Sequence, residues 1–217
     1  SMTAAQPSPV SAFQTIQVNP LSPTVGAEIS GFRMDGDVSP EQVAGDPELA
    51  AELGKAHVRL ANIMSSLGDH AAAVSEYQKA IHIYSQLLKD HPGVPEYAFL
   101  LSSSYLDICN AFRPLGKIDE SIEVHNKAIF ILEQLVKEHT DVPRYIKGLA
   151  YSYKSLGGYL ESQGKSNKAI ELQNKAIVIL AQLVKDHPDV PIDTSELVTA
   201  HNNLGLAFTN LGNHKEA

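Results

Sequence analysis

Scarcity is the first thing this sequence shows. It has one cysteine, Cys109, so no disulfide can form within the chain, and a reducing cytoplasm is the compartment that fits. It has no tryptophan, and aromatic residues make up only 6% of its 217 positions. Basic residues are also short: 17 Lys and Arg stand against 25 Asp and Glu, a formal charge of −8. Nucleic acid needs a basic stripe and is therefore not an expected partner. No run of about 18 apolar residues exists, so no membrane-spanning helix is expected. The opening "SMTAAQPSPVSAF" lacks the basic and apolar regions of a secretory signal, and Ser1 before Met2 resembles an expression scar. No Gly-x-Ser-x-Gly, phosphate loop or Cys-x-x-Cys occurs. No catalytic residue, cofactor or metal is therefore expected.

What the chain does have is repetition. Gly68, Gly116, Gly164 and Gly212 follow one another in steps of 48 residues. "KAI" recurs in the same register at 79–81, 127–129 and 175–177, and Val-Pro recurs at 94–95, 142–143 and 190–191. Each unit reads as two helices of roughly 20 residues, about 30 Å each. In the third unit Ile146, Leu149, Ala150, Tyr153, Leu156, Gly157 and Leu160 keep the 3–4 spacing of one helical face. "SQGKS" then breaks it, and Ala169, Ile170, Ala176, Ile177, Leu180, Leu183 and Val184 carry it into a second helix. Small residues such as Gly157, Ala169 and Ala176 stand where helices must approach closely.

The joints between units raise a question of chemistry. "LLKDHPGVP", "LVKEHTDVP" and "LVKDHPDVP" are near-copies, and two of them contain His-x-Asp: His139 with Asp141, and His187 with Asp189. That pair opens the facial triad of non-haem iron oxygenases. The local chemistry favours a joint. Pro92 and Pro188 stop a helix, and Pro95, Pro143 and Pro191 suit the first position of the next. Val94, Val142 and Val190 are expected to plug the joint. His91, His139 and His187 belong in a last helical turn, near free carbonyls. Equivalent positions of a repeat array lie in a row spaced by helix packing of about 8–10 Å, whereas metal–nitrogen bonds are about 2 Å. No metal site and no 2-oxoglutarate turnover are expected. Cys109 falls in the small-residue slot of Gly157 and Gly205 and is expected to be a packed thiol. His57 and His201, in the slot of Tyr105 and Tyr153, are expected to be half-buried.

"GDHAAAVSEYQKAI", "GKIDESIEVHNKAI" and "GKSNKAIELQNKAI" resemble the turn and second helix of tetratricopeptide (TPR) repeats. The family's landmarks map onto Leu60-Ala61, Gly68, Ala73, Tyr77 and Ala80 in the first unit. They map onto Ile108-Cys109, Gly116, Ser121, His125 and Ala128 in the second. In the third they are Leu156-Gly157, Gly164, Ala169, Gln173 and Ala176, and in the fourth Leu204-Gly205, Gly212 and Ala217. At 48 residues the unit is longer than the usual 34, as in TPR arrays of some bacterial multidomain proteins and, more distantly, kinesin light chain. The resemblance implies an all-α, right-handed superhelical solenoid over residues 46–217, divided as 46–94, 95–142, 143–190 and a partial 191–217. It also implies a non-catalytic scaffold that binds a peptide or partner protein in its concave groove. The groove residues it implies are Lys55, Arg59, Asn62, Asn110, Arg113, Tyr151, Lys154, Asn202 and Asn203. Their basic and amide character suits an acidic or C-terminal peptide. Lys154 and Arg113 are expected to be exposed, so that charge reversal there would weaken binding without unfolding the array. The family's two-carboxylate clamp is not met, because Val58 precedes Asn62 and Leu106 precedes Asn110 where it has lysine.

Residues 1–45 form a leader with one or two short strands, suggested by Ile16, Val18, Ala27 and Ile29, with turns at Asn19-Pro20 and Gly26. Residues 17–43, through Pro20-Leu21, Gly26-Ala27-Glu28-Ile29-Ser30-Gly31, Ser39 and Glu41-Gln42, resemble the opening of the taurine/2-oxoglutarate dioxygenase family. Two readings stand: a strand packed on the first repeat, or the start of a dioxygenase. The second would make the repeats an accessory region of a larger iron/2-oxoglutarate enzyme whose catalytic core lies outside this chain. The last unit reads as a first helix through Leu197, Val198, Leu204, Phe208 and Leu211, followed by a turn at Gly212 and the start of a second helix. A chain cut from a longer one, pairing as a homodimer through this open repeat, is the expectation.

Overall fold

The computed structural model describes residues 17–20, 27–30, 45–186 and 191–216. The chain divides after Asp46 into two units. In the first, β1 (Gln17–Pro20) pairs antiparallel with β2 (Ala27–Ser30), Val18 opposite Ile29 and Pro20 opposite Ala27. Asn19 and Pro20 lie inside β1 and not in the turn expected there. Gly26 and the remainder of the dioxygenase-like stretch lie outside the described residues.

The second unit is an array of seven described helices: α1 (Pro47–Ser66), α2 (His70–Asp90), α3 (Pro95–Phe112), α4 (Ile118–Glu138), α5 (Pro143–Ser162), α6 (Ser166–Asp186) and α7 (Pro191–Glu216). Within a unit the turn is set by glycine. Gly68, Gly116 and Gly164 have φ of 85°, 69° and 69°, a conformation that side chains with a Cβ rarely adopt. Asp69 then caps α2 by accepting the Ala72 N–H at 3.0 Å. The fourth landmark behaves differently. Gly212 is helical, and α7 runs on through it to Glu216 with no turn.

The described joints match the proline reading. Pro95 and Pro143 occupy first-turn positions, behind Val94 and Val142 in extended conformation. His91 and His139 close the preceding helices, their N–H groups donating to the Leu87 and Leu135 carbonyls at 2.8 Å. Their imidazoles meet the edges of Tyr97 and Tyr145 in the next unit, with ring centroids 6.1 and 6.0 Å apart. Val142 packs against the core, but Val94 is exposed and plugs nothing. His187, Pro188, Asp189 and Val190 lie outside the described residues.

Small residues let the helices close up. Ala73, Ser121 and Ala169 have no exposed surface, nor do Ala80, Ala128 and Ala176. The slot between them takes Tyr77, His125 or Gln173, all buried. Burial lowers the pKa of His125, which is neutral and accepts no charge cheaply; its Nδ1 lies 2.8 Å from the Ser121 carbonyl. Cys109 is fully buried, as expected, and burial raises its thiol pKa, so it is not a reactive thiolate. Each helix packs on the next in sequence. First helices α1, α3, α5 and α7 also touch one another in succession, while no second helix touches the next one among the described residues. The stack therefore bends toward its first helices, and these line its inner face.

Candidate functional site

The inner face inherits its side chains from one column per helix position. Arg59 is exposed on α1, with Asn62 one turn on; Asn62 Oδ1 accepts the Tyr77 hydroxyl at 2.5 Å. Lys55 is half-buried and pairs with Glu52 at 2.7 Å, an (i, i+3) surface pair of small energetic weight. On α3, Asn110 and Arg113 are exposed. Arg113 lies over the Tyr159 ring, 4.9 Å from its centroid, and its Nε donates to the Tyr159 hydroxyl at 3.3 Å. Tyr159 in turn donates to the Cys109 carbonyl at 3.1 Å, so one tyrosine ties α5 to α3.

On α5, Tyr151 is exposed and Lys154 Nζ sits 5.0 Å from its ring centroid. Lys154 departs from expectation. Its side chain is only 11% exposed, and its ammonium is ion-paired with Glu196 of α7. It is a joint between units as much as a groove side chain. On α7 Asn202 is exposed and Asn203 half-buried. The nine residues thus form a line along the array, not one cluster.

Two acids in the same columns escaped the sequence reading. Asp107 repeats the position of Arg59, 48 residues on; Ser155 and Asn203 are its other equivalents. Burial lifts the Asp107 carboxyl to a pKa of about 6. Its charge is felt by Tyr77, whose hydroxyl is pushed up to about 12, chiefly by burial. Glu161 repeats the position of Arg113 and accepts hydrogen bonds from Ser166 at 3.1 Å and Asn210 at 2.7 Å. Both acids could have been found by reading every residue in the 48-residue columns, because the columns do not select for one charge.

The histidine slots also divide. His57 Nδ1 meets Glu76 Oε2 at 2.7 Å, while Lys79 reaches the other carboxylate oxygen at 2.5 Å. His201, expected half-buried, is exposed. No group of three or more His, Cys, Asp or Glu residues with metal-binding geometry occurs among the described residues. No described helix is long and apolar enough to cross a membrane.

Residues 58–93, spanning most of α1 and all of α2, match the tetratricopeptide repeat family. The array is a tetratricopeptide-repeat fold. Two solved structures share it. BtubC (BKLC) from P. vanneervenii is 18% identical, with a TM-score of 0.51 over 79% of this chain and 64% of that one. A protein from Podosopora anserina, described as a kinesin light chain with nearly identical TPR-like repeats, is also 18% identical. Its TM-score is 0.52 over 81% of this chain and 82% of that one. This chain thus spans just under two thirds of the BtubC chain. No curated protein matches it.

Proposed function

We propose that this TPR array is a non-catalytic, cytoplasmic interaction scaffold that holds a peptide or partner protein against its inner face. The observation that supports this most is the packing asymmetry. First helices touch in succession and second helices do not, so the array has a concave side. That side carries exposed Arg59, Asn62, Asn110 and Arg113, groups suited to backbone and carboxylate recognition. An acidic or C-terminal segment fits Arg59 best, since Lys55 and Lys154 already have acidic partners within the chain.

The test is selection of binders from a random 12-residue peptide library on the immobilised chain. Arg59→Glu combined with Arg113→Glu is expected to weaken the selected peptides about tenfold or more, as loss of charged hydrogen-bond partners does. Unaltered affinity would show that the peptides bind elsewhere.

A second surface supports self-association. Val198 and Phe208 are 54% and 53% exposed on α7, yet their equivalents Ala150 and Leu160 in the third unit are 0% and 4% exposed. From Leu197 to Gly212 the helix carries no Asp, Glu, Lys or Arg, so a twofold pairing of α7 helices brings no like charges together. Each such apolar side chain buried contributes about 1.5–3 kcal/mol before association costs. Light scattering is expected to give a dimer for the parent chain and a monomer for Phe208→Glu. A parent chain that stays monomeric at high concentration rules out this pairing.

A further inference from the structure

We infer that Asp107 is the acceptor for a basic side chain of the bound segment, so that the partner carries a lysine or arginine seated where the first two units meet. The inference rests on the groove reading above and names one feature of its ligand. Asp107 lies on α3 in the column of Arg59, on the face that the first helices turn inward. Nothing within the described chain hydrogen-bonds or ion-pairs with its carboxylate. Neighbouring polar groups are committed elsewhere: the Tyr77 hydroxyl goes to Asn62, and Arg113 lies on Tyr159. Lys55 and Lys154 go to Glu52 and Glu196.

Burial without a partner penalises a carboxylate. The same column shows that the fold does not require one, because the third and fourth units place Ser155 and Asn203 there. An acid at this position is therefore a cost to the free array that a cationic ligand group would remove. A lysine or arginine does so with a charge-assisted hydrogen bond in partly desolvated surroundings. A metal ion does not suit the position, since no second or third ligand stands beside it among the described residues.

The cost has a pH signature. The folded carboxyl titrates near 6, above its ordinary value of 3.8, so the folded chain holds this proton more tightly than the unfolded chain. Asp107 therefore destabilises the array above about pH 6, and that effect disappears below about pH 4. The other titratable groups that sense its charge are Tyr77 on α2 and Cys109 on α3. Both have raised pKa values and remain neutral across this range.

The test uses the full chain, the same 12-residue peptide library, and the variants Asp107→Asn and Asp107→Ser. Peptides selected by the parent are expected to share a lysine or arginine at one position. Replacing that residue with norleucine is expected to weaken binding to the parent about tenfold, and to change binding to Asp107→Asn by less than about twofold. Both variants should unfold at higher urea than the parent at pH 7.5 and at the same urea at pH 4. Peptides that lose affinity on Arg59→Glu yet show no shared basic residue would leave the groove standing and overturn the role of Asp107. An undiminished norleucine effect in Asp107→Asn overturns it too. A library that yields no binder removes the groove reading and this inference together.

Discussion

Gly54→Ala is expected to lower the stability of the array by about 2 kcal/mol, although alanine is the better helix former by about 1 kcal/mol. Gly54 lies inside α1, and a Cβ built on it falls 2.6 Å from both Cε1 and Cζ of Tyr84. Tyr84 is only 1% exposed, so its ring has nowhere to move without displacing α2 from α1. The added methyl must either force the two helices apart or turn the ring off its rotamer, and each costs more than the propensity gain. Gly158→Ala provides the contrast. It is also a mid-helix glycine, on α5, but it is exposed and meets nothing within 4 Å. There only the propensity term acts, and a gain of about 0.5–1 kcal/mol is expected. Since the chain has no tryptophan, circular dichroism at increasing urea is the suitable readout. Equal midpoints for Gly54→Ala and the parent would contradict the packing argument.

Lys154→Glu should cost about 3 kcal/mol, within the range seen when one partner of a buried ion pair is removed. The substitution breaks the bridge from α5 to Glu196 of α7 and sets two carboxylates against each other where Lys154 is 11% and Glu196 31% exposed. It also removes the cation from the Tyr151 ring. Lys154→Met keeps the aliphatic stem and adds no negative charge, so it should lose less than half as much. Loss of α7 from the array, seen as proteolysis or exchange confined to residues 191–216, should accompany the glutamate variant. A glutamate variant as stable as the parent would show that the bridge contributes nothing. The expected cost also changes how binding data are interpreted: a partner lost on Lys154→Glu reports on the docking of α7 as much as on contact with the groove. Arg59→Glu is the cleaner probe, because Arg59 is exposed and has no comparable bridge.

The sequence by itself determined the repeat, the paired helices, the turn glycines, the proline-started first helices and the burial of Cys109. Each of these is local, or follows from a 48-residue register in which the same backbone problem is solved again with the same residue types. Gly68, Gly116 and Gly164 were legible because only glycine adopts their φ cheaply, and Pro95 and Pro143 because proline suits a first helical turn. Tertiary structure decided the points at which the copies stop being equivalent. Gly212 has the sequence of a turn but no second helix to fold back onto, and it continues α7. Lys154 reads as a solvated cation until α7 brings Glu196 beside it, 42 residues away in the chain. Arg59 and Asp107 share one column, yet one is exposed and the other is held in partly dry surroundings beside Tyr77 of α2. A periodic sequence fixes what each position can be; charge and exposure depend on which neighbour arrives from the adjoining unit, and that neighbour is set by packing between units.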